Sequence, residues 1–337
     1  MTNATSADKF KALLVEEIAA GEFQQKVVER KLSDLPDESL LVEVHYSSLN
    51  YKDALSAHGN RGVTRKYPHV PGVDAAGVVL EDSSGKFQSG DRVLVCGYDL
   101  GMNTWGAMSQ KIRVSSGWAC LCPEGLTLRE SMVYGTAGFT AALCIEKLER
   151  MGAQPEHGGV AVTGATGGVG CFSVAMLNKL GYEVAAFTGK LEESEFLAGL
   201  GASQVIDRDT LNEISSRPLG KPQWAYGIDA VGGDFLFNLI KSIKPEGAVA
   251  ACGLAASATF NANVFPFILR GVSLLGVDSV ELPIEKKAQV WEALADRFKL
   301  PKLDLMAEEI TLEQTPEYLT RVYNGHAIGR YVVNVKG

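Results

Sequence analysis

One glycine-rich segment limits the folds open to this chain more than any other feature of its sequence. The segment Thr163-Gly164-Ala165-Thr166-Gly167-Gly168-Val169-Gly170 follows an apolar run and opens a helical pattern over residues 169–180. Gly167 and Gly170 match the last two glycines of the G-x-G-x-x-G pattern, and Ala165 takes the place of the first. Without side chains the backbone can approach a pyrophosphate, whose charge a helix N-terminus favours. A plain glycine-rich turn is the alternative, which the flanking strand and helix argue against. We therefore predict a dinucleotide site that includes Thr163, Gly164, Thr166, Gly167, Gly168, Val169 and Gly170.

After Pro155 the sequence alternates between short apolar runs and amphipathic helical runs. Repeated strand–helix alternation predicts a parallel sheet that is covered by helices on both faces. The predicted strands are Val160–Thr163, Glu183–Phe187, Gln204–Ile206, Tyr226–Ala230, Ala248–Ala251 and Ser273–Val277.

The first third of the chain has β character instead. Apolar runs at Leu40–Val44, Asp74–Leu80 and Arg92–Val95 are separated by turns rich in Gly, Pro and Ser, which is typical of a barrel or sandwich. The chain returns to β character at Tyr331–Val335, and 337 residues suit two domains. We predict one domain from residues 1–130 and 300–337, and an α/β domain from residues 131–299.

The end of the second predicted strand of the α/β domain discriminates between the two nicotinamide cofactors. NAD enzymes usually place Asp or Glu about 20 residues after the glycine loop, where it binds the ribose 2′-hydroxyl. Here that strand ends at Thr188-Gly189-Lys190, which contains no acid. A hydroxyl, an open backbone and a cation suit the 2′-phosphate of NADPH, and Arg208 could close over the same phosphate. Helix capping by Thr188 and solvated cations are the alternatives.

Charge and hydropathy exclude several classes of function. A formal net charge of -8 argues against a broad basic surface for nucleic acid. Residues Met1–Glu17 do not resemble a signal peptide, and no apolar run approaches the roughly 20 residues that span a bilayer. We expect a cytoplasmic protein with no membrane partner.

The order of these regions resembles the medium-chain dehydrogenase/reductase superfamily. That resemblance implies a GroES-like β-barrel domain followed by a Rossmann domain, with the C-terminus returning to the barrel. Zinc enzymes of the superfamily carry a Cys and a His ligand in segments that correspond here to Asn50-Tyr51-Lys52-Asp53 and Gly72-Val73-Asp74. Asn50 and Val73 stand at the two ligand positions, and neither suits zinc. We therefore expect no metal.

Longer segments narrow the resemblance to the acrylyl-CoA reductase branch of the zinc-free, quinone-oxidoreductase-like group. They are Ser47–Leu55, Gly135–Ala141, Ala250–Ala255, Pro266–Arg270 and Gly276–Val280. The resemblance implies that NADPH reduces acrylyl-CoA to propionyl-CoA, with the hydride delivered to the β-carbon. A quinone or enone reductase is the first alternative. The second, from another class, is a non-catalytic NADPH-binding protein with a structural or regulatory role.

Position and side-chain chemistry add further candidate site residues. Tyr51 follows a barrel strand, and in the family this tyrosine contacts the NADP; packing in the core is the alternative. Asn50 could donate to the substrate carbonyl or stabilise a turn, and Arg330 could reach the cleft or face solvent. Leu254, Asp278 and Ser279 follow strands of the α/β domain, at the sheet edge where ligands bind.

The last predicted strand of the α/β domain indicates where two copies of the chain could pair. The run Ser273–Val277 is apolar, and we predict that it lies at the edge of the sheet. An exposed apolar edge strand tends to find a partner, so a homodimer is the hypothesis.

Overall fold

A computed structural model describes residues 9–337 of the chain. The first eight residues, which belong to the predicted barrel domain and to the Met1–Glu17 stretch, lie outside the described part. The strands are β1 (Lys9–Ala19), β2 (Glu22–Lys31), β3 (Leu40–Ser48), β4 (Asp74–Asp82), β5 (Arg92–Cys96), β6 (Lys111–Val114), β7 (Ala119–Leu121), β8 (Val160–Thr163), β9 (Val184–Thr188), β10 (Gln204–Asp207), β11 (Trp224–Asp229), β12 (Ile243–Ala251), β13 (Ser273–Gly276), β14 (Ala307–Thr311) and β15 (Arg330–Asn334). The α-helices are α1 (Tyr51–Ala57), α2 (Leu128–Arg150), α3 (Gly168–Lys179), α4 (Ser194–Gly199), α5 (Gly233–Lys241), α6 (Phe265–Arg270), α7 (Ile284–Ala295) and α8 (Thr315–Tyr323).

The chain divides into two compact units. One contains the residues up to Thr136 together with Val280–Arg297 and Pro301–Gly337, and we call it the barrel unit. The other contains Ala137–Ser279 and Phe298–Leu300, and we call it the Rossmann unit. In this division residues 280–297 belong to the barrel unit, whereas the sequence assigned them to the α/β domain. Lys287 on α7 donates to the Cys96 carbonyl of β5, a contact within the barrel unit that the sequence did not indicate.

The barrel unit is built on a seven-stranded sheet in the order β14-β15-β3-β4-β5-β7, with β6 paired to β3. Only β14 and β15 pair in parallel within it. Inward-facing side chains such as Val42, Val44, Val79 and Val95 form its apolar core. The β-rich first third and the returning C-terminal strand were both predicted, and the fold class is confirmed; the β1–β2 hairpin was not predicted.

The Rossmann unit contains a six-stranded parallel sheet in the order β10-β9-β8-β11-β12-β13. The chain runs outward from β8 to β10 on one side and then continues from β11 to β13 on the other. This reversal of strand order lies between β8 and β11, and ligands bind in the crevice at the carboxyl ends of strands at such a point. The predicted parallel sheet is confirmed, and β8 has the predicted bounds.

Candidate active site

The glycine loop connects the carboxyl end of β8 to the start of α3. Gly164 has a φ of 62°, a left-handed conformation that favours glycine. A Cβ on Gly170 would lie 2.2 Å from the Gly164 carbonyl oxygen, so only glycine permits this close approach of helix and loop. Because the first N–H groups of a helix have no intrahelical partner, the start of α3 offers donors for a phosphate. The residues of this loop fit a dinucleotide pyrophosphate.

The four residues predicted to bind a 2′-phosphate lie together at the end of β9. The Lys190 backbone N–H donates to the Thr188 hydroxyl oxygen at 3.0 Å. The Arg208 side chain lies over Gly189, where an added Cβ would be 2.9 Å from Arg208 Nε. Burial lowers the pKa of Lys190, and the neighbouring Arg208 charge lowers it further, whereas Glu193 and Glu192 raise it. Two crowded cations beside a hydroxyl form a site that an anion would stabilise.

Thr163 and Thr166 from the glycine loop are both hydrogen-bonded within the protein. The buried Thr163 hydroxyl donates to Asp229 Oδ1 at 2.6 Å, which connects the ends of β8 and β11. The Thr166 hydroxyl lies 3.3 Å from that of Thr188. Asp229 also accepts from the Gly232 N–H at 2.7 Å, and burial raises its pKa despite these hydrogen bonds. Sequence reasoning missed Asp229, although an acid that ends an apolar strand before Gly232-Gly233 was a usable signal.

The three remaining predicted cofactor residues follow two neighbouring strands of the same sheet. Leu254 lies three residues after β12 and is 61% exposed. Asp278 is exposed and Ser279 is half-buried, both just after β13. Because β12 and β13 are parallel neighbours, these residues share the carboxyl edge of the sheet with the glycine loop. Every predicted cofactor residue of the Rossmann unit therefore lies at the carboxyl ends of the strands of this sheet.

In the barrel unit, Tyr51 is the first residue of α1 and is 42% exposed. Core packing, the alternative for this side chain, is therefore excluded. No hydrogen bond from its hydroxyl is found within residues 9–337, which leaves that group free to meet a ligand.

Behind Tyr51 lies a buried polar network centred on Asp74. Oδ2 of this carboxylate accepts from the Ser48 hydroxyl at 2.6 Å, from Asn50 Nδ2 at 2.7 Å and from the Thr136 N–H at 2.8 Å. Its Oδ1 accepts from the Thr136 hydroxyl at 2.6 Å. The Arg330 guanidinium supplies the compensating charge, 3.9 Å from Oδ2. Arg330 is thus buried, and the alternative that it faces solvent is wrong.

Asn50 and Arg330 hold the start of α1. Arg330 donates to the Leu49 carbonyl at 2.8 Å and to Asn50 Oδ1 at 3.2 Å. Asn50 Nδ2 donates to Asp74 and, at 3.3 Å, to the Ser48 carbonyl. Both amide hydrogens of Asn50 are therefore engaged within the protein, and Asn50 is the N-cap residue of α1.

The network depends on one glycine that sequence reasoning did not single out as a site residue. Gly135 breaks the helical run of α2, with φ 48° and ψ -158°. A Cβ there would lie 2.4 Å from the Ser48 hydroxyl and 2.7 Å from both the Arg330 guanidinium and the Asp74 carboxylate. The carboxylate and guanidinium thus occupy the space of the missing side chain.

A second buried carboxylate lies beside the first. Asp53 accepts from the Asn50 N–H at 2.8 Å and from the Gly72 and Val73 N–H groups at 3.0 Å each. Burial, and secondly the charge of Asp74, raise its pKa to about 7, against the lowering effect of those three hydrogen bonds. Asp53 therefore ties the start of α1 to the backbone at Val73.

Comparisons with known proteins agree with this arrangement. The Alcohol dehydrogenase GroES-like domain family matches residues 36–124, and the Zinc-binding dehydrogenase family matches residues 168–297. The acrylyl-CoA reductase AcuI of Ruegeria pomeroyi is 44% identical over 327 residues, which cover 97% of this chain and 99% of that protein. The chain belongs to the medium-chain dehydrogenase/reductase superfamily. The superfamily predicted from the sequence is thereby confirmed, with its acrylyl-CoA reductase and quinone-oxidoreductase-like relatives.

Solved structures of other members superimpose over nearly their whole length. The YhdH protein of Escherichia coli K-12, with bound NADPH, has a TM-score of 0.93 and 43% identity, covering 96% of this chain and 99% of that one. The yhfP protein of Bacillus subtilis, with NAD bound, has a TM-score of 0.94 and 42% identity, covering 97% and 99%.

One matching family description names zinc, so the donor set of this superfamily member has to be compared with what zinc requires. The buried Val73 side chain carries no donor atom, and the Asn50 amide is engaged with Asp74 and Ser48. Zinc takes thiolate, imidazole or carboxylate ligands, usually four in a tetrahedron. Within residues 9–337, no group of three or more His, Cys, Asp or Glu side chains could hold a metal ion. These residues do not fit zinc. In the same described range, no helix has the length and apolar character that crossing a membrane requires.

Proposed function

We propose that this protein catalyses the NADPH-dependent reduction of the conjugated double bond of acrylyl-CoA to give propionyl-CoA. The observation that carries the proposal is the end-to-end similarity to the acrylyl-CoA reductase AcuI. The exposed Tyr51, beside a buried network that offers no zinc donor set, is consistent with a substrate that accepts hydride without a Lewis acid.

NADPH is the proposed cofactor. Its support is the grouping of Thr188, Gly189, Lys190 and Arg208 at the end of β9, together with the NADPH bound to the Escherichia coli relative. The glycine loop would hold the pyrophosphate, and Leu254, Asp278 and Ser279 would line the nicotinamide end. One relative was solved with NAD, which lacks the 2′-phosphate. The contacts to this phosphate are therefore the feature to test.

The proposed reaction gives a role to three side chains of the barrel unit. When bound, NADPH supplies the hydride for the β-carbon of the thioester. Negative charge then moves to the thioester oxygen as an enolate, which a hydrogen-bond donor stabilises. We assign Tyr51 to positioning the nicotinamide or to donating at this oxygen, and Asn50 and Arg330 to fixing the start of the helix that carries Tyr51. Water can protonate the α-carbon, so the proposal needs no further acid.

The direct test is NADPH oxidation against acrylyl-CoA, crotonyl-CoA, acrylate and quinones. We expect acrylyl-CoA to give the highest kcat/KM. Quinones as the preferred substrates would favour the quinone or enone reductase instead. Binding of NADPH without turnover of any of these compounds would favour a structural or regulatory role, because an intact cofactor site guarantees binding and not chemistry.

Metal independence is part of the proposal, and its support is the chemistry of Val73 and Asn50. Elemental analysis is expected to find no stoichiometric zinc, and incubation with a chelator is expected to leave activity unchanged. Activity that is lost to the chelator and restored by zinc would contradict this.

We further propose a cytoplasmic homodimer formed at the outer strand of the Rossmann sheet. The strand β13 lies at the edge of the sheet, as predicted, and Leu274 on it is 38% exposed. Ile268 and Leu269 on α6 of the same unit are 68% and 62% exposed. Exposed apolar side chains beside an open edge strand suit pairing with a second copy. A monomeric mass in solution at micromolar concentration would rule out a stable dimer.

A further inference from the structure

One buried lysine of the barrel unit has no part in the proposed chemistry. Lys287, on α7, is only 1% exposed. Its ammonium donates to the Cys96 carbonyl at 2.5 Å and to the Val280 carbonyl at 2.7 Å, and lies 3.4 Å from the centre of the Tyr98 ring. Burial lowers its pKa, so these contacts must compensate a desolvated charge. In some proteins a buried charge of this kind fixes an arrangement of segments that apolar packing would leave open.

What Lys287 fixes is the pairing of two chain segments. The first follows β5, where Gly97 approaches so closely that an added Cβ would lie 3.1 Å from both Lys287 Nζ and Val280 Cα. The second begins at Val280. Tyr98 joins the same two segments, because its N–H donates to the Val280 carbonyl at 3.2 Å and its hydroxyl to the Leu282 carbonyl at 2.8 Å.

Each segment adjoins a residue that the sequence singled out. The Gly97 N–H donates to the Val73 carbonyl at 3.0 Å, and Val73 stands at a zinc-ligand position of the metal-dependent relatives. Val280 is bonded directly to Ser279, which with Asp278 is proposed to line the nicotinamide end. The Val280 carbonyl accepts from both Lys287 and Tyr98, so the chain that leaves Ser279 is held at its first residue.

We propose that Lys287 is a positioning residue for the nicotinamide half of the cofactor. It fixes Val280, the residue that follows Ser279 in the chain, without touching cofactor or substrate itself. The inference rests on the proposed cofactor site. It follows that loss of Lys287 weakens binding of the nicotinamide half, while the adenosine half, held by the glycine loop and by Lys190, binds as before.

The chain offers a matched control. Lys241, on α5 of the Rossmann unit, is 3% exposed and also donates to two backbone carbonyls, those of Ile214 at 3.2 Å and Ser215 at 3.0 Å. It also lies near an aromatic ring, 5.2 Å from the centre of Phe237. Lys287→Met and Lys241→Met therefore remove the same kind of buried cation, but only Lys287 contacts the segment that begins at Val280.

The experiment compares two ligands by equilibrium titration. One is NADPH, and the other is 2′-phospho-ADP-ribose, which lacks the nicotinamide. We expect Lys287→Met to raise the Kd for NADPH about tenfold, on the order of one lost hydrogen bond, and to leave the Kd for 2′-phospho-ADP-ribose unchanged. Lys241→Met is expected to change both Kd values by the same factor, whatever its effect on the melting temperature.

Equal weakening of both ligands by Lys287→Met, or no weakening of either, would overturn the proposal. If Lys287→Met does not fold, Tyr98→Phe takes its place: it keeps the ring, removes the bond to the Leu282 carbonyl, and is expected to give a smaller, NADPH-selective loss. Because these readouts need no turnover, they test Lys287 even if acrylyl-CoA is not the substrate. A wild-type protein that binds neither ligand would instead contradict the proposed function.

Discussion

The glycine loop of the Rossmann unit and the Asp74 network of the barrel unit achieve their order by opposite means. The loop uses backbone groups of eight consecutive residues and needs the absence of side chains at Gly164 and Gly170. The network joins side chains from β3, β4, α2 and β15, and Arg330 and Ser48 in it are 282 residues apart. In a buried network, removal of one member leaves its partners as unpaired buried polar groups, which is costly at low local dielectric. The difference is testable at single residues.

The largest effect is expected from Arg330→Met. Removing this guanidinium leaves the Asp74 carboxylate buried without its compensating charge and leaves the Leu49 carbonyl without its donor. Breaking a buried ion pair in this way costs about 3–5 kcal/mol, to be measured as the free energy of unfolding in urea. Arg321→Ala removes an exposed pair with Glu317 and is expected to cost less than about 1 kcal/mol. Similar losses for the two variants would show that the network contributes no more than surface pairs.

Gly170→Ala tests the glycine loop, whose order depends on the backbone and on the absence of side chains. The added methyl would lie 2.2 Å from the Gly164 carbonyl oxygen, so the loop has to move away from the start of α3. We expect the Kd for NADPH to rise about 100-fold, which corresponds to roughly 2.7 kcal/mol. The control is Gly199→Ala on α4, where an added Cβ meets no atom within 4 Å, and NADPH binding should be retained. Unchanged NADPH affinity in Gly170→Ala would mean that the cofactor does not need this close approach.

Lys190→Ala sharpens the comparison within the Rossmann unit, because it separates the proposed 2′-phosphate site from the proposed pyrophosphate site. One charge-assisted hydrogen bond contributes roughly 1.5–3 kcal/mol, so the KM for NADPH should rise about 10- to 100-fold with little change for NADH. Lys244→Ala, at the amino end of β12 and thus at the opposite edge of the sheet, should leave both constants unchanged. A wild-type enzyme that prefers NADH would refute the assignment of this site.

Tyr51→Phe is expected to have the smallest effect on the fold and a graded effect on activity. The exposed ring keeps its place, and only the hydroxyl is lost. If the hydroxyl donates at the enolate oxygen, kcat should fall by about 10²-fold, as for loss of a catalytic hydrogen-bond donor. If it only positions the nicotinamide, the loss should be smaller and partly in NADPH affinity, which we favour. Tyr323→Phe, at a similarly exposed tyrosine, is the control; unchanged kcat and Kd in Tyr51→Phe would remove Tyr51 from the site.

Elements whose signal is local were predicted well from the sequence. β8 has its predicted bounds, and α3 begins and ends one residue earlier than predicted. The residues predicted to bind the cofactor in the Rossmann unit lie at the carboxyl ends of the strands, because parallel strands bring these ends together without further information. The β1–β2 hairpin was missed, because β2 carries charged residues with no buried positions that would indicate a strand.

The sequence by itself determined the glycine loop, the parallel sheet around it and the replacement of zinc ligands at Asn50 and Val73. Only the tertiary structure decided that Arg330 is buried against Asp74 and that Lys287 holds Val280. The physical reason is how far apart in the chain the interacting residues lie. A loop conformation follows from neighbouring residues and from side chains that are absent, whereas a charge is stable inside a protein only if distant segments bring its partners to it.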